Sequence, residues 1–178
     1  EVMMSTVESL LARMKGSHNS CFYHFTDLEN LSSIREHGLL SLAKMDEMGS
    51  RPPKPGGTQL SRDLDTHYRL NRYVHLCFWD QHPMEYVQKK EGHIGETKFL
   101  QIDPNILKTE GAIATSEVSI KTGVVPLPVE EMLPNLDLEV CYDKTDWKDK
   151  GVQARKLLSY KYELLIPDQV PLDMILNL

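Results

Sequence analysis

The sequence is poor in the features that would place it outside an ordinary globular interior. No apolar run approaches the length of a membrane span, and Glu1-Val2-Met3-Met4 does not open a signal peptide. Glu1 is not an initiator, so the chain is expected to begin inside a longer gene product. Cysteine is scarce: Cys21, Cys77 and Cys141 are odd in number and widely spaced, which argues against a disulfide framework and for a reducing cytosol. Cys21 lies just before His24, but no second ligand pair follows at zinc spacing, so no metal is expected. A basic excess is also missing. Twenty Lys and Arg face 26 Asp and Glu, for a net charge of −6, whereas a general nucleic-acid binder carries a basic stripe. Positive charge clusters only locally, at Arg69 and Arg72 and again at Lys148, Lys150, Arg155 and Lys156, which leaves room for one basic groove. Neither repeats nor low-complexity segments occur.

What is present suits one domain with a real core: 178 residues, of which 40% are hydrophobic and 26% charged. The most informative stretch is Cys21 to Ser41. Cys21-Phe22-Tyr23-His24-Phe25 is aromatic-rich, as strand positions tend to be. Thr26 and Glu29 have capping-box spacing, Leu28, Leu31 and Ile34 form an apolar stripe, and Gly38 is a natural helix stop. Tyr23, His24 and Thr26 therefore bring polar atoms to a strand-to-helix corner where free N–H groups can meet an amide or a phosphate.

Elsewhere the pattern is coarser. Ser5 to Met14 reads as an amphipathic packing helix with a Ser5/Glu8 capping box. Gly49 to Gly57, rich in proline and glycine, is a loop leading into Leu60-Ser61-Arg62-Asp63. Tyr73 to Phe78 is a strand with Val74, Leu76 and Phe78 on one face and Tyr73, His75 and Cys77 on a semi-polar one. His82, before Pro83, reads as a turn residue, and Met84 to Val87 starts a new element. Lys98 to Ile102 is a further strand, Ile106 to Asp143 gives weak signals, and Asp146 to Leu158 is charged with Trp147 and Val152 as anchors. Tyr160 to Ile166 alternates as a last strand on which Glu163, by pattern alone, is exposed. The fold class is α+β, with five or six short strands and one or two helices.

Several of these pieces occur together and in order: Tyr23-His24-Phe25-Thr26, Glu29-Asn30-Leu31, His37-Gly38-Leu39-Leu40-Ser41, Tyr73-Val74-His75-Leu76-Cys77-Phe78, Pro83-Met84-Glu85-Tyr86, and Tyr162 to Pro171. They resemble DarT, the toxin ADP-ribosyltransferase of the DarT–DarG type, over residues 21 to 175. The resemblance implies an ADP-ribosyltransferase fold in which two small sheets pack together around an NAD cleft. Residues 1–178 then form a single domain, with 1–20 as an N-terminal packing helix and turn and 21–178 as the NAD-binding and catalytic core. Family members usually carry Tyr-Val-Pro-Phe where this chain has Tyr73-Val74-His75-Leu76.

The implied activity is transfer of ADP-ribose from NAD to a nucleobase, with single-stranded DNA ahead of RNA or protein as acceptor and nicotinamide released. It is the work of a glycosyltransferase, a cytoplasmic toxin or phage-defence effector with NAD as co-substrate, no metal, no membrane and an antitoxin protein as partner. Carried over residue by residue, Glu163 is the catalytic glutamate and Arg62 the arginine of the NAD-binding loop. Tyr23, His24, Phe25 and Thr26 lie on the strand that binds the nicotinamide amide. Asn30 and Leu40 belong to the NAD-contacting helix and turn, and Tyr73 and Tyr86 flank the nicotinamide pocket. A carboxylate beside the ribose stabilises the oxocarbenium-like charge that develops as nicotinamide leaves, and it can take a proton from the acceptor. Arg62 supplies a permanent cation for the pyrophosphate. The alternative from another class is a binding module that holds NAD or ADP-ribose without turnover.

Overall fold

A computed structural model of the chain describes residues 3–56 and 59–178, with backbone only at 59–61. Gly57, the last residue of the expected loop, and Glu1 and Val2 lie outside the described residues.

The chain begins with α1 (Thr6–Lys15), where the Ser5/Glu8 capping box is formed in both directions and Val7, Leu10 and Met14 are buried. β1 (Phe22–Asp27) runs one residue further than Thr26, because Asp27 still pairs with Thr97. The cap therefore falls on Asp27, whose side chain accepts from the Glu29 N–H at 2.9 Å, and not on Thr26 as the spacing suggested. A short 3₁₀ turn and α2 (Leu31–His37) follow and stop at Gly38, whose φ is +74°. β2 (Leu39–Leu40) and α3 (Leu42–Glu47), capped by Ser41, come next. Arg62 lies on α4 (Gln59–His67), a helix where a loop was expected.

β3 (Tyr73–Cys77), α5 (Pro83–Lys90) and β4 (Thr97–Ile102) match their sequence patterns. The weakly patterned middle holds β5 (Ile113–Thr115), β6 (Leu127–Pro128), α6 (Val129–Met132) and α7 (Leu138–Tyr142). The charged segment is helical as α8 (Lys150–Ser159), capped by Asp149. Val152 packs against the core, but Trp147 is 72% exposed with the Lys148 ammonium over its ring, so it anchors nothing. β7 (Glu163–Pro167) is shorter than the alternation implied. Tyr160 caps α8, and the Tyr162 N–H turns back to the Ser159 carbonyl at 3.1 Å, so helix end and turn mimic strand alternation there. β8 (Gln169–Val170) closes the pattern.

Six strands form an antiparallel sheet in the order β4-β1-β3-β7-β5-β6, and β2 and β8 form a separate two-stranded sheet. Helices flank an α+β fold, as expected, with more short helices than the sequence signalled. On the core side of the large sheet, Phe22 and Phe78 meet edge to face at 5.1 Å, beside Leu76, Leu100, Leu164 and Ile166. α1 covers this side through Val7, Leu10 and Met14, which is why an amphipathic helix precedes the sheet. The register pairs Cys77 with Glu163 and His75 with Leu165, so Tyr73, His75, Cys77 and Glu163 share the opposite face. Among the described residues no helix is long and apolar enough to cross a membrane, and the three cysteines are free and buried.

Candidate active site

The polar face of β3 and β7 floors an open cleft of about 1360 Å³, the solvent at its mouth included. One wall is the β1–α2 corner with His24, Thr26 and Asn30; another is the β2–α3 segment with Leu40. Ser50, Pro52, Lys54 and Gly56 of the proline-rich loop form a third. The loop stays in place because the buried Asn30 clamps it. Its Nδ2 donates to the Lys54 carbonyl at 2.6 Å and to Thr26 Oγ1 at 3.1 Å, and its Oδ1 accepts from the Lys54 N–H at 2.9 Å.

Glu163 is a buried charged group of the cleft. It is 6% exposed, at the first position of β7, between Cys77 and Thr115 on the neighbouring strands. Its Oε2 accepts from the Ser119 N–H at 2.7 Å, and its Oε1 faces His82 Nε2 at 3.4 Å. His75 Nδ1 lies 4.0 Å from Oε2. Burial pushes the carboxyl up, but His82, His75 and the Ser119 N–H together outweigh it and hold the carboxyl below its ordinary value. A buried carboxylate kept ionised inside an open cleft is suited to stabilising a developing cation. The pattern reading of Glu163 as an exposed strand residue is thus overturned.

His82 does two things that a turn residue need not. Its Nδ1 accepts from the Met84 N–H at 3.2 Å and caps α5, which leaves Nε2 to carry the ring proton towards Glu163. That nitrogen is buried without a hydrogen bond of good geometry, so the 3.4 Å approach is an electrostatic contact. Phe25 packs its ring along His82 at 6.0 Å and along His24 at 6.3 Å, forming an aromatic shelf. His24 donates from Nδ1 to the His75 carbonyl at 3.0 Å, and burial lowers its pKa, so the ring is held neutral.

The other expected residues divide. His24, Phe25, Thr26, Asn30, Leu40, Tyr73 and Glu163 all line the cleft. Tyr23 and Tyr86 do not: Tyr23 is half-buried with its phenol pushed up to about 12 by burial, and Tyr86 is 67% exposed on α5. Arg62 is not a lining residue, but its guanidinium donates to the carbonyl of Gly56, which is one, at 3.4 Å. Sequence reading passed over His75, His82, Ser119 and Asp65, all of them lining residues. The semi-polar face of β3 was the available signal for His75. Ser119 acts through its backbone N–H, which leaves no mark in the sequence. No group of three or more His, Cys, Asp or Glu side chains is placed to hold a metal among the described residues.

Solved structures share this architecture. Thermus sp. 2.9 DarT in complex with ADP-ribosylated ssDNA superposes with a TM-score of 0.59 at 20% identity, covering 88% of this chain and 79% of that one. The same protein in complex with NAD+ gives 0.56 at 19%, covering 89% and 80%. Thermosipho africanus DarTG in complex with ADP-ribose gives 0.61 at 19%, covering 87% of this chain but 42% of its own length. At such identities these likenesses establish the fold, which is that of an ADP-ribosyltransferase. A family model described as "ssDNA thymidine ADP-ribosyltransferase, DarT" matches residues 23–178. The chain belongs to the DarT family, whose members are NAD-dependent ADP-ribosyltransferases. No curated protein sequence matches it significantly.

Proposed function

We propose that this chain transfers ADP-ribose from NAD+ to the thymine base of single-stranded DNA and releases nicotinamide. The observation that carries the reading is Glu163: a buried carboxylate, fixed by the Ser119 N–H and held below its ordinary pKa, at the floor of an open cleft shared with the β1 corner and the proline-rich loop. His24 and Thr26 on the β1 corner receive the nicotinamide amide, with Tyr73 beside it. Asn30 and Leu40 shape the wall along which the dinucleotide lies, and Arg62, at the Gly56 rim, meets the pyrophosphate. As the bond from ribose C1′ to nicotinamide breaks, Glu163 stabilises the cationic ribose and takes the acidic N–H proton of the base.

The whole chain, 1–178, serves as one catalytic domain, with α1 as the buttress of the sheet. Such an enzyme consumes NAD+ and marks DNA, so it acts as a toxin or phage-defence effector in the cytoplasm and needs an antitoxin protein to restrain it. The test incubates the purified chain with labelled NAD+ and, separately, single-stranded DNA, RNA or a protein lysate, beside Glu163→Ala. Label on single-stranded DNA alone, lost in the variant, supports the reading. Label on RNA or protein moves the acceptor, and NAD+ binding without label makes the chain a binding module.

A further inference from the structure

Transfer to thymine releases one proton. The C1′–N bond to nicotinamide breaks with its electron pair left on nicotinamide, the bond from C1′ to the base forms, and the base gives up its one acidic N–H proton. On the reading above Glu163 receives it, and must lose it again before the next cycle. Glu163 is enclosed, so the groups packed around it decide where the proton goes.

His82 cannot take it while its cap holds. Its Nδ1 lone pair is engaged by the Met84 N–H, and its Nε2 already bears the proton that faces Glu163. His75 is arranged the other way round. Its Nε2 lies 3.2 Å from the Leu70 carbonyl, which only accepts, so Nε2 carries the hydrogen of the neutral ring. The basic nitrogen is therefore Nδ1, the one that faces Glu163 Oε2 at 4.0 Å and the Ser119 hydroxyl at 3.2 Å. Ser119 thus touches both partners, the carboxylate by its N–H and the imidazole by its hydroxyl. Behind the ring stands a second acid. Asp65 Oδ1 on α4 lies 3.7 Å from His75 Nε2 and is buried without a hydrogen-bond partner. His24, on β1, spends its Nδ1 proton on the His75 carbonyl, and Cys77 is the next residue on the same face of β3.

We infer that His75 is the proton acceptor behind Glu163, with Ser119 holding the two groups side by side and Asp65 as the charge that stabilises its imidazolium. The Oε2–H bond of protonated Glu163 breaks, its electron pair stays on the carboxylate, and the Nδ1 lone pair of His75 forms the new N–H bond, either through one water spanning the 4.0 Å gap or after the ring closes to hydrogen-bond distance. The imidazolium then lies between two carboxylates, where Asp65 offsets its charge. His75 keeps 24% of its side chain exposed, so water collects the proton once product leaves the cleft. Burial, the largest influence on Asp65, raises its carboxyl pKa, while His75 lowers it and Glu163 raises it, as expected of an acid that waits for a cation.

The test combines kinetics with histidine-ring ¹⁵N NMR on the full chain. His75→Gln should lower kcat for transfer to single-stranded DNA by roughly 10²-fold with KM for NAD+ nearly unchanged. In His75→Ala, added imidazoles should restore turnover in order of their basicity, which a merely structural role would not produce. In the wild-type spectrum the neutral His75 ring should carry its hydrogen on Nε2, and Asp65→Asn should lower kcat in the same direction as His75→Gln, by a smaller factor. A His75→Gln variant within twofold of wild-type kcat, or a neutral His75 ring with its hydrogen on Nδ1, overturns the relay and leaves the transferase reading standing. A wild-type chain that transfers nothing to DNA overturns both.

Discussion

His82 Nε2 faces Glu163 Oε1 at 3.4 Å while Nδ1 of the same ring caps α5. One side chain therefore couples the start of a helix to the charge of the proposed catalytic carboxylate. The coupling explains why a histidine, and not a serine or aspartate, occupies this cap. Those residues would satisfy the Met84 N–H, but an aspartate would also set a second negative charge against Glu163.

His82→Ala should accordingly fail in two measurable ways. Loss of the cap costs about 1 kcal/mol, seen as a lower urea midpoint. The second effect is on the acid limb of the transfer rate. Glu163 is held below its ordinary pKa partly by His82, so removing the ring lets the carboxyl rise. The pH below which transfer declines should then move upward, while the rate at neutral pH changes less. An unmoved acid limb would show that His82 acts on the helix alone.

Asn30 predicts a different split. Its side chain joins the β1 corner to Lys54 by two bonds and to Thr26 by a third, so it holds the loop wall rather than reacting atoms. Asn30→Ala should raise KM for NAD+ about tenfold, equivalent to about 1.4 kcal/mol, with kcat within a fewfold of wild type. Asn30→Asp keeps the acceptor for the Lys54 N–H but not the donor, and should fall between the two. Steady-state kinetics with NAD+ as the varied substrate decides it.

Gly38 ties the small sheet to the cleft. At φ +74°, a Cβ built there would meet the Val170 carbonyl oxygen at 2.6 Å, across the β2–β8 pair. Gly38→Ala combines left-handed backbone strain with a clash against main chain, and should cost more than about 2 kcal/mol. Leu39, Leu40 and Ser41 line the cleft just beyond, so NAD+ affinity should fall with stability in calorimetric titration and urea melts.

How far the sequence could be read follows from where the information lay. Elements whose signal is periodic were legible: α1 with its capping box, β3 with its two faces, β4, and the stop at Gly38. Elements made by local capping inside polar sequence were not. α8 has little apolar contrast and depends on Asp149 to start it, and α4 is a short helix of polar average composition directly after a proline- and glycine-rich loop. The cap at Asp27 was missed by one position because strand pairing with Thr97 outlasted the Thr26–Glu29 spacing. Of the site, the β1 corner was legible from its polar atoms at a strand-to-helix join, whereas Glu163 was reached through family resemblance, since strand alternation alone put it in solvent. His82 acquires meaning only from Glu163, far along the chain, and Asp65 only from His75, on the strand that follows its helix.

The two acids of the cleft predict stability changes of opposite sign. Glu163 has a folded-state pKa below its ordinary value, so its ionised form stabilises the fold above the unfolded pKa, and that contribution is lost as pH falls through the folded pKa. Asp65 has a raised folded-state pKa, so its contribution is present below the unfolded pKa and is lost as pH rises through the folded one. At neutral pH, Glu163→Gln should therefore lower the melting temperature and Asp65→Asn should raise it. A difference of about 1 kcal/mol would appear as roughly 2–4 °C for a chain of this size. Both differences should shrink as the buffer is taken below the ordinary carboxylate range, where wild type carries its own protons. Melts of the three proteins across that range test the signs together; a destabilised Asp65→Asn at neutral pH would mean that the His75 contact outweighs the cost of burying the charge.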